Sequence, residues 1–196
     1  MREVELTISI LESLEEVLKK LEDQGFEFVE KYYMRDYYMA HKSIDLTLDN
    51  YKILSKCLLI REIVDDNPKK QLVYKNKTYA QDGKIISQNK FKTNIDSIDK
   101  VKQMLEIVDF ITLFEVENNS YIYKKDNTEV VIQKITNPEG LYMEIEETEE
   151  ELQDPNDENI KTILKEKLDN LGLKTTGEYE VKKAFIALDK VKKISI

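Results

Sequence analysis

The segment REVELTISI, residues 2–10, changes character at every step. Val4, Leu6, Ile8 and Ile10 fall on one face, and Glu3, Glu5 and Thr7 on the other, which is the two-residue period of a half-buried strand. The apolar face requires a core. If the other face meets water, its glutamates need no partner. If it lines the inside of a barrel, they are costly to bury and point to a bound cation.

A second segment repeats the pattern. In LYMEIEE, residues 141–147, Tyr142, Glu144 and Glu146 share one face, and Leu141, Met143 and Ile145 share the other. A sheet that joins the first and last strands brings Glu3, Glu5, Glu144 and Glu146 together. At an effective dielectric near 20, one like-charge pair at 4 Å costs on the order of 4 kcal/mol. Such a site takes up protons, lysines or metal ions. Mg²⁺ and Mn²⁺ are the cations that prefer an oxygen-rich surround. Either glutamate pair alone reads equally well as the solvated face of an acidic protein.

The rest of the chain supplies the other strands. Leu11, Leu14, Val17, Leu18 and Leu21 recur at helical spacing, and Gly25 stops that helix. Phe26–Met39, Cys57–Val64, Gln71–Tyr79 and Ile85–Thr93 read as strands, with turns at DDNPKK and AQDGK. SIDLTLDN, between the first two of these, reads as a connection or an irregular edge. Ile98, Val101, Met104, Leu105 and Val108 mark a second helix, and 114–124 and 128–135 form a hairpin around KKDN. Further helices are predicted over 156–171, closed by Gly172, and over VKKAFIALDKV, residues 181–191. About eight strands with hairpin-length connections predict an α+β, mainly β fold: a closed, eight-stranded antiparallel barrel with flanking helices. The barrel spans about 2–148, the C-terminal helices about 156–192, and the 196 residues form one domain.

Composition narrows the function. A net charge of −9 argues against a nucleic-acid partner, since phosphate backbones demand clustered Lys and Arg. Cys57 is the only cysteine, so there is no disulfide framework. The lack of a signal-peptide or membrane-spanning apolar run predicts a cytoplasmic protein with no membrane partner. Five unclustered glycines give no phosphate-cradling loop. No Ser-His-Asp, Cys-His or zinc-finger spacing is present, and the lone His41 reads as a solvated loop residue. Tyr32, Tyr33, Tyr37 and Tyr38 suit sheet packing better than base stacking. Nothing in the chain decides its oligomeric state.

Taken in order, five segments resemble the CYTH superfamily, the triphosphate tunnel metalloenzymes that include class IV adenylate cyclases and thiamine triphosphatases. EVELTI resembles the opening Glu-x-Glu-x-Lys strand, and RDYYMA the Asp-x-Tyr-Phe strand at Asp36 and Tyr38. LLIREI resembles Leu-Arg-Ile-Arg-Glu, LVYKNK resembles Leu-Thr-Tyr-Lys, and LYMEIEE resembles Phe-Val-Glu-Ile-Glu. The resemblance covers residues 2 to about 148 and implies a tunnel barrel that hydrolyses a triphosphate or triphosphorylated small molecule. It implies a divalent cation, Mg²⁺ or Mn²⁺, on Glu3, Glu5, Glu144 and Glu146, with Glu5 and Glu144 catalytic. It implies that Arg61 and Lys75 bind phosphate, and Lys77, Lys90 and Lys92, which share strand faces, are added to them.

Departures from the pattern open two alternatives. Thr7, Leu59, Asn118 and Ser120 stand where the family carries cations, and Gln133 stands in place of an aspartate. A barrel so altered would bind an anionic or nucleotide-like ligand without turnover. Class IV adenylate cyclase chemistry is the other alternative, ranked lower for want of an adenine-reading signature.

Overall fold

The computed structural model describes residues 4–79 and 85–195, and their side chains apart from 76–79, 85–88 and 195. The strands are β1 (Glu5–Ile10), β2 (Glu27–His41), β3 (Leu58–Val64), β4 (Lys69–Tyr79), β5 (Ile85–Asn94), β6 (Phe110–Lys125), β7 (Thr128–Thr136) and β8 (Glu139–Glu146). The helices are α1 (Leu14–Asp23), α2 (Asn50–Leu54), α3 (Ile98–Ile107), α4 (Asp157–Asn170) and α5 (Lys183–Ser195). All eight strands join one antiparallel sheet in the order β1-β8-β7-β6-β2-β3-β4-β5. The eight strands expected from sequence are therefore present. The five-residue α2 was not expected, because it is too short to show a period, and β6 begins four residues before the expected strand. The AQDGK turn lies outside the described residues.

The expected closed barrel is met only in part, since the sheet is not closed by hydrogen bonds. The outer edge of β1 is occupied by residues 174–181. Leu11 N donates to Lys174 O at 2.8 Å, Thr176 N to Ser9 O at 3.2 Å, Thr7 N to Tyr179 O at 3.1 Å and Val181 N to Thr7 O at 3.0 Å. These bonds satisfy the backbone groups that an edge strand would otherwise leave open. β5 ends the strand order on the other side.

The chain forms two compact units, Met1–Tyr32 with Asn118–Lys182, and Tyr33–Glu117 with Lys183–Ile196. In the first, Leu6, Ile8 and Ile10 of β1, Val130 and Ile132 of β7, and Met143 and Ile145 of β8 make one apolar face. Val17 and Leu21 of α1 and Ile160, Leu164 and Leu168 of α4 cover it. Each such side chain contributes about 1.5–3 kcal/mol on leaving water. α1 starts where it does because of a capping box: Ser13 Oγ accepts from Glu16 N at 3.3 Å, and Glu16 Oε2 accepts from Ser13 N at 2.9 Å. It ends before Gly25, whose φ of +83° suits a residue without a side chain.

In the second unit, Tyr37 and Met39 of β2, Leu58 and Ile60 of β3 and Leu72 of β4 pack against Ile98, Val101 and Leu105 of α3. α5 docks on α2, where Asn50 Nδ2 donates to Asp189 Oδ1 at 2.7 Å and Lys192 Nζ donates to Leu48 O at 2.6 Å. His41 is exposed at the end of β2, with Nδ1 2.6 Å from Ser43 Oγ. Cys57 is buried, and burial pushes its thiol up to about 12. The thiolate is the reactive form, so Cys57 is expected to resist alkylation by iodoacetamide at pH 8 in the folded protein and to react once urea unfolds it. Intact mass before and after unfolding reads this directly. Among the described residues no helix is long and apolar enough to cross a membrane.

Candidate functional site

In the first unit, the pairing of β1 with β8 sets the acidic candidate residues. Glu5 lies directly opposite Glu146, Thr7 opposite Glu144 and Ser9 opposite Tyr142. Strand alternation turns all six away from the apolar face, as the sequence pattern required. β7 and β6 extend this face, with Gln133 opposite Tyr142 and Ser120 opposite Gln133. Glu5 and Glu146 are exposed, and Glu144 is half-buried.

The middle of the face is buried, polar and uncharged. Thr7, Asn118, Ser120 and Gln133 are 6%, 2%, 0% and 4% exposed. They stand at four positions where the resemblance implies charge. Gln133 Nε2 donates to Glu144 Oε2 at 2.8 Å, and Ser120 Oγ donates to Asn118 Oδ1 at 2.8 Å. Among the described residues no buried side-chain nitrogen or oxygen lacks a hydrogen bond. Neutral side chains avoid the desolvation cost that buried lysines or arginines would carry here. Tyr142 is buried as well, and burial pushes its phenol above the usual range, so it stays protonated. A Cβ at Gly140 would approach Tyr142 Cε2 and Oη to 3.0 Å, so the glycine is what lets this ring lie back along β8. The sequence marks Gly140 as the end of the NPEG turn, and its contact with the ring two residues on is an addition from the structure.

Glu5, Glu144 and Glu146 share one face and carry the oxygen donors that a hard divalent cation prefers, but they do not gather into a metal set. Mg²⁺ commonly uses one or two carboxylates and keeps several waters, and like charges directly opposite across strands destabilise a pair until something neutralises them. No three His, Cys, Asp or Glu side chains gather as a metal set among the described residues. Glu3, the fourth expected ligand, lies outside them.

The second unit, taken by itself, carries the basic candidate residues. Arg61 on β3 lies opposite Asp36 on β2 and grips it with both ends of its fork: Nε donates to Oδ1 at 2.7 Å and Nη2 to Oδ2 at 2.6 Å. Asp36 is 3% exposed. The sequence marked both residues and gave no sign that they pair, since 25 positions separate them. On β4 and β5, Lys75 lies directly opposite Lys90, and Lys92 opposite Val73. Strand register puts these three lysines on the face of Arg61, with Lys75 half-buried and Lys90 and Lys92 exposed. Lys77 lies opposite Gln88, and its side chain is outside the described set. Leu59 is buried and sits between Tyr38 and Val73, an apolar setting that suits leucine and not the arginine of the family pattern. Arg35 is engaged elsewhere. Its Nη2 donates to Glu115 Oε2 at 2.5 Å, its Nε lies 3.1 Å from Glu117 Oε1, and the fork lies over the Tyr37 ring.

No family model matches the chain, and no curated protein matches it. Solved structures do. A protein of Pyrococcus horikoshii OT3 is 21% identical and superposes with a TM-score of 0.68, over 96% of this chain and 99% of its own. An adenylyl cyclase candidate of Hippeastrum, whose dominant activity is that of a triphosphatase, is 17% identical with a TM-score of 0.64, over 96% of both chains. A chain of the Schizosaccharomyces pombe Mediator head module is 11% identical with a TM-score of 0.60, over 92% of this chain and 99% of its own. These likenesses show the fold. That fold is shared by proteins described as adenylate cyclase candidates, one of them with a dominant triphosphatase activity, and by a chain of a larger assembly.

Proposed function

We propose that this protein is a CYTH-type phosphohydrolase that acts with Mg²⁺ or Mn²⁺ on a triphosphate or a triphosphorylated small molecule. The observation that carries the reading is the β1–β8 register, which sets Glu5 against Glu146 with Glu144 on the same face. In this reading Glu5 and Glu144 are catalytic, and with Glu3 and Glu146 they hold the cation. Arg61, Lys75, Lys77, Lys90 and Lys92 bind phosphate oxygens through charge-assisted hydrogen bonds. A bound cation polarises the phosphoryl group and offsets its charge. Asp36 keeps the Arg61 guanidinium in one plane, and the protonated Tyr142 offers a neutral O–H. The setting is cytoplasmic, and the partner is a small phosphorylated molecule.

A second reading rests on a specific observation. Thr7, Asn118, Ser120 and Gln133 are neutral and buried, which leaves fewer cations for a polyanion than the family pattern supplies. The protein would then bind an anionic or nucleotide-like ligand without turnover.

One experiment separates the two. The protein is incubated with tripolyphosphate, ATP or thiamine triphosphate, each with Mg²⁺ or Mn²⁺, and phosphate and cyclic nucleotide are followed. Hydrolysis is expected, and Glu5→Ala and Glu144→Gln should each slow it by roughly a hundredfold or more, since cation stabilisation supplies several kcal/mol. Thermal stabilisation by a ligand that is never turned over would select the second reading. Release of cyclic nucleotide from ATP would move the assignment to adenylate cyclase.

A further inference from the structure

We infer that the β1–β8 face carries a subsite for a neutral polyol, built by the side-chain hydroxyls of Thr7, Ser9 and Tyr142. The inference stands apart from the phosphohydrolase reading, since it needs neither a cation nor a phosphate.

Strand register puts these groups together within the first unit. Ser9 on β1 lies opposite Tyr142 on β8, Tyr142 opposite Gln133 on β7, and Gln133 opposite Ser120 on β6. Thr7, two residues before Ser9 and on the same face, lies opposite Glu144. Directly opposite side chains start about 4.5–5.5 Å apart, and alternate ones along a strand about 7 Å apart. One small molecule can therefore reach all three hydroxyls.

The row from β1 to β6 is uncharged. Its far end is already paired, since Ser120 Oγ donates to Asn118 Oδ1 and Gln133 Nε2 donates to Glu144 Oε2. Its near end is not. Among the described residues the hydroxyls of Thr7, Ser9 and Tyr142 make no hydrogen bond to another protein group, although Thr7 is only 6% and Tyr142 only 4% exposed. Buried polar groups are normally paired, and no fully buried side-chain oxygen among the described residues lacks a partner. Each of these hydroxyls therefore touches solvent through a narrow opening in an otherwise covered face.

The donor and acceptor set selects the ligand. Each hydroxyl both donates and accepts, and burial keeps the Tyr142 phenol protonated. The Glu144 carboxylate, half-buried opposite Thr7, accepts and repels an anion, and the row offers no cation to offset that. A neutral molecule with adjacent hydroxyls gives and takes hydrogen bonds at once, and so matches the set.

The test uses the full isotope-labelled chain in phosphate-free buffer with EDTA. Erythritol, xylitol and myo-inositol are titrated one at a time, and amide shifts are followed by NMR. At least one polyol is expected to shift the backbone amides of Thr7, Ser9 and Tyr142 saturably, with millimolar affinity. Tyr142→Phe and Thr7→Val each remove one hydroxyl and should weaken that binding about 3- to 10-fold, the worth of one neutral hydrogen bond. Ser9→Ala, at the half-buried position, covers the case in which those variants do not fold. Dimethoxyethane, which accepts hydrogen bonds and donates none, should leave the amides unmoved. The inference is overturned by the lack of a saturable shift with any polyol, or by an equal response to dimethoxyethane. A stronger response to methylammonium than to any polyol, marking a cation site, also overturns it, as does an affinity unchanged in every folded variant. Triphosphate turnover, present or absent, bears only on the phosphohydrolase reading.

Discussion

Asp36→Ala is expected to destabilise the protein by about 3 kcal/mol, near the lower end of what removing one partner of a buried ion pair costs. The side chains of Asp36 and Arg61 are 5% and 19% exposed, so water screens the pair weakly. Both nitrogens of the Arg61 fork used here, Nε and Nη2, lose their acceptors at once. For a chain of this length the melting temperature should drop by roughly 6–12 °C. Urea denaturation monitored by circular dichroism checks the free energy. Replacing both partners by apolar residues of similar size, Asp36→Leu with Arg61→Met, should recover most of the loss, because no uncompensated charge is then left inside. A cost below about 1 kcal/mol for Asp36→Ala would mean that the pair behaves as a surface salt bridge. The same variant bears on function. If Arg61 binds phosphate, losing the brace should weaken tripolyphosphate binding in the fraction that still folds.

Leu164→Ala carries the second large effect. Leu164 is fully buried on α4 within the core formed by β1, β7, β8, α1 and α4. Truncating a leucine in such a place removes transfer energy and leaves a cavity, at a cost of about 3 kcal/mol. Its neighbour Ile163 is 38% exposed on the same helix, and Ile163→Ala should cost less than about 1 kcal/mol. The contrast between adjacent positions tests the helix phase directly. Equal costs at 163 and 164 would mean that α4 does not present this face to the sheet.

Much of the fold was legible in local pattern. The alternation in REVELTISI and LYMEIEE assigned Leu6, Ile8, Met143 and Ile145 to the core, and the structure buries each of them. Gly25 and Gly172 follow α1 and α4, both with positive φ. The element missed outright, α2, has five residues and shows no period. The short 3-10 turn at Glu151–Gln153 lies in an acidic run that had no apolar spacing to reveal it. Residues 174–181 show too little alternation to announce a strand. They lie along β1 because that edge offers unpaired backbone groups.

The candidate site was legible as residue types and not as neighbours. Gln133 and Asn118 read from sequence as losses from a charged set. In the fold they belong to hydrogen bonds, a part-buried one from Gln133 to Glu144 and a buried one from Ser120 to Asn118. Asp36 read as part of a motif, and its contact with Arg61 emerged only from the β2–β3 register.

The amino-acid order by itself determined which side chains of each strand face a core and where most helices begin and end. Steric alternation, helical period and glycine stops act over a few residues. Only the tertiary structure decided that the first strand lies beside the last, that Glu5 meets Glu146, and that the outer edge of β1 is capped by 174–181. Those pairings join residues far apart in the chain, and many strand orders satisfy the same local pattern, so packing of the whole sheet and its helices selects among them.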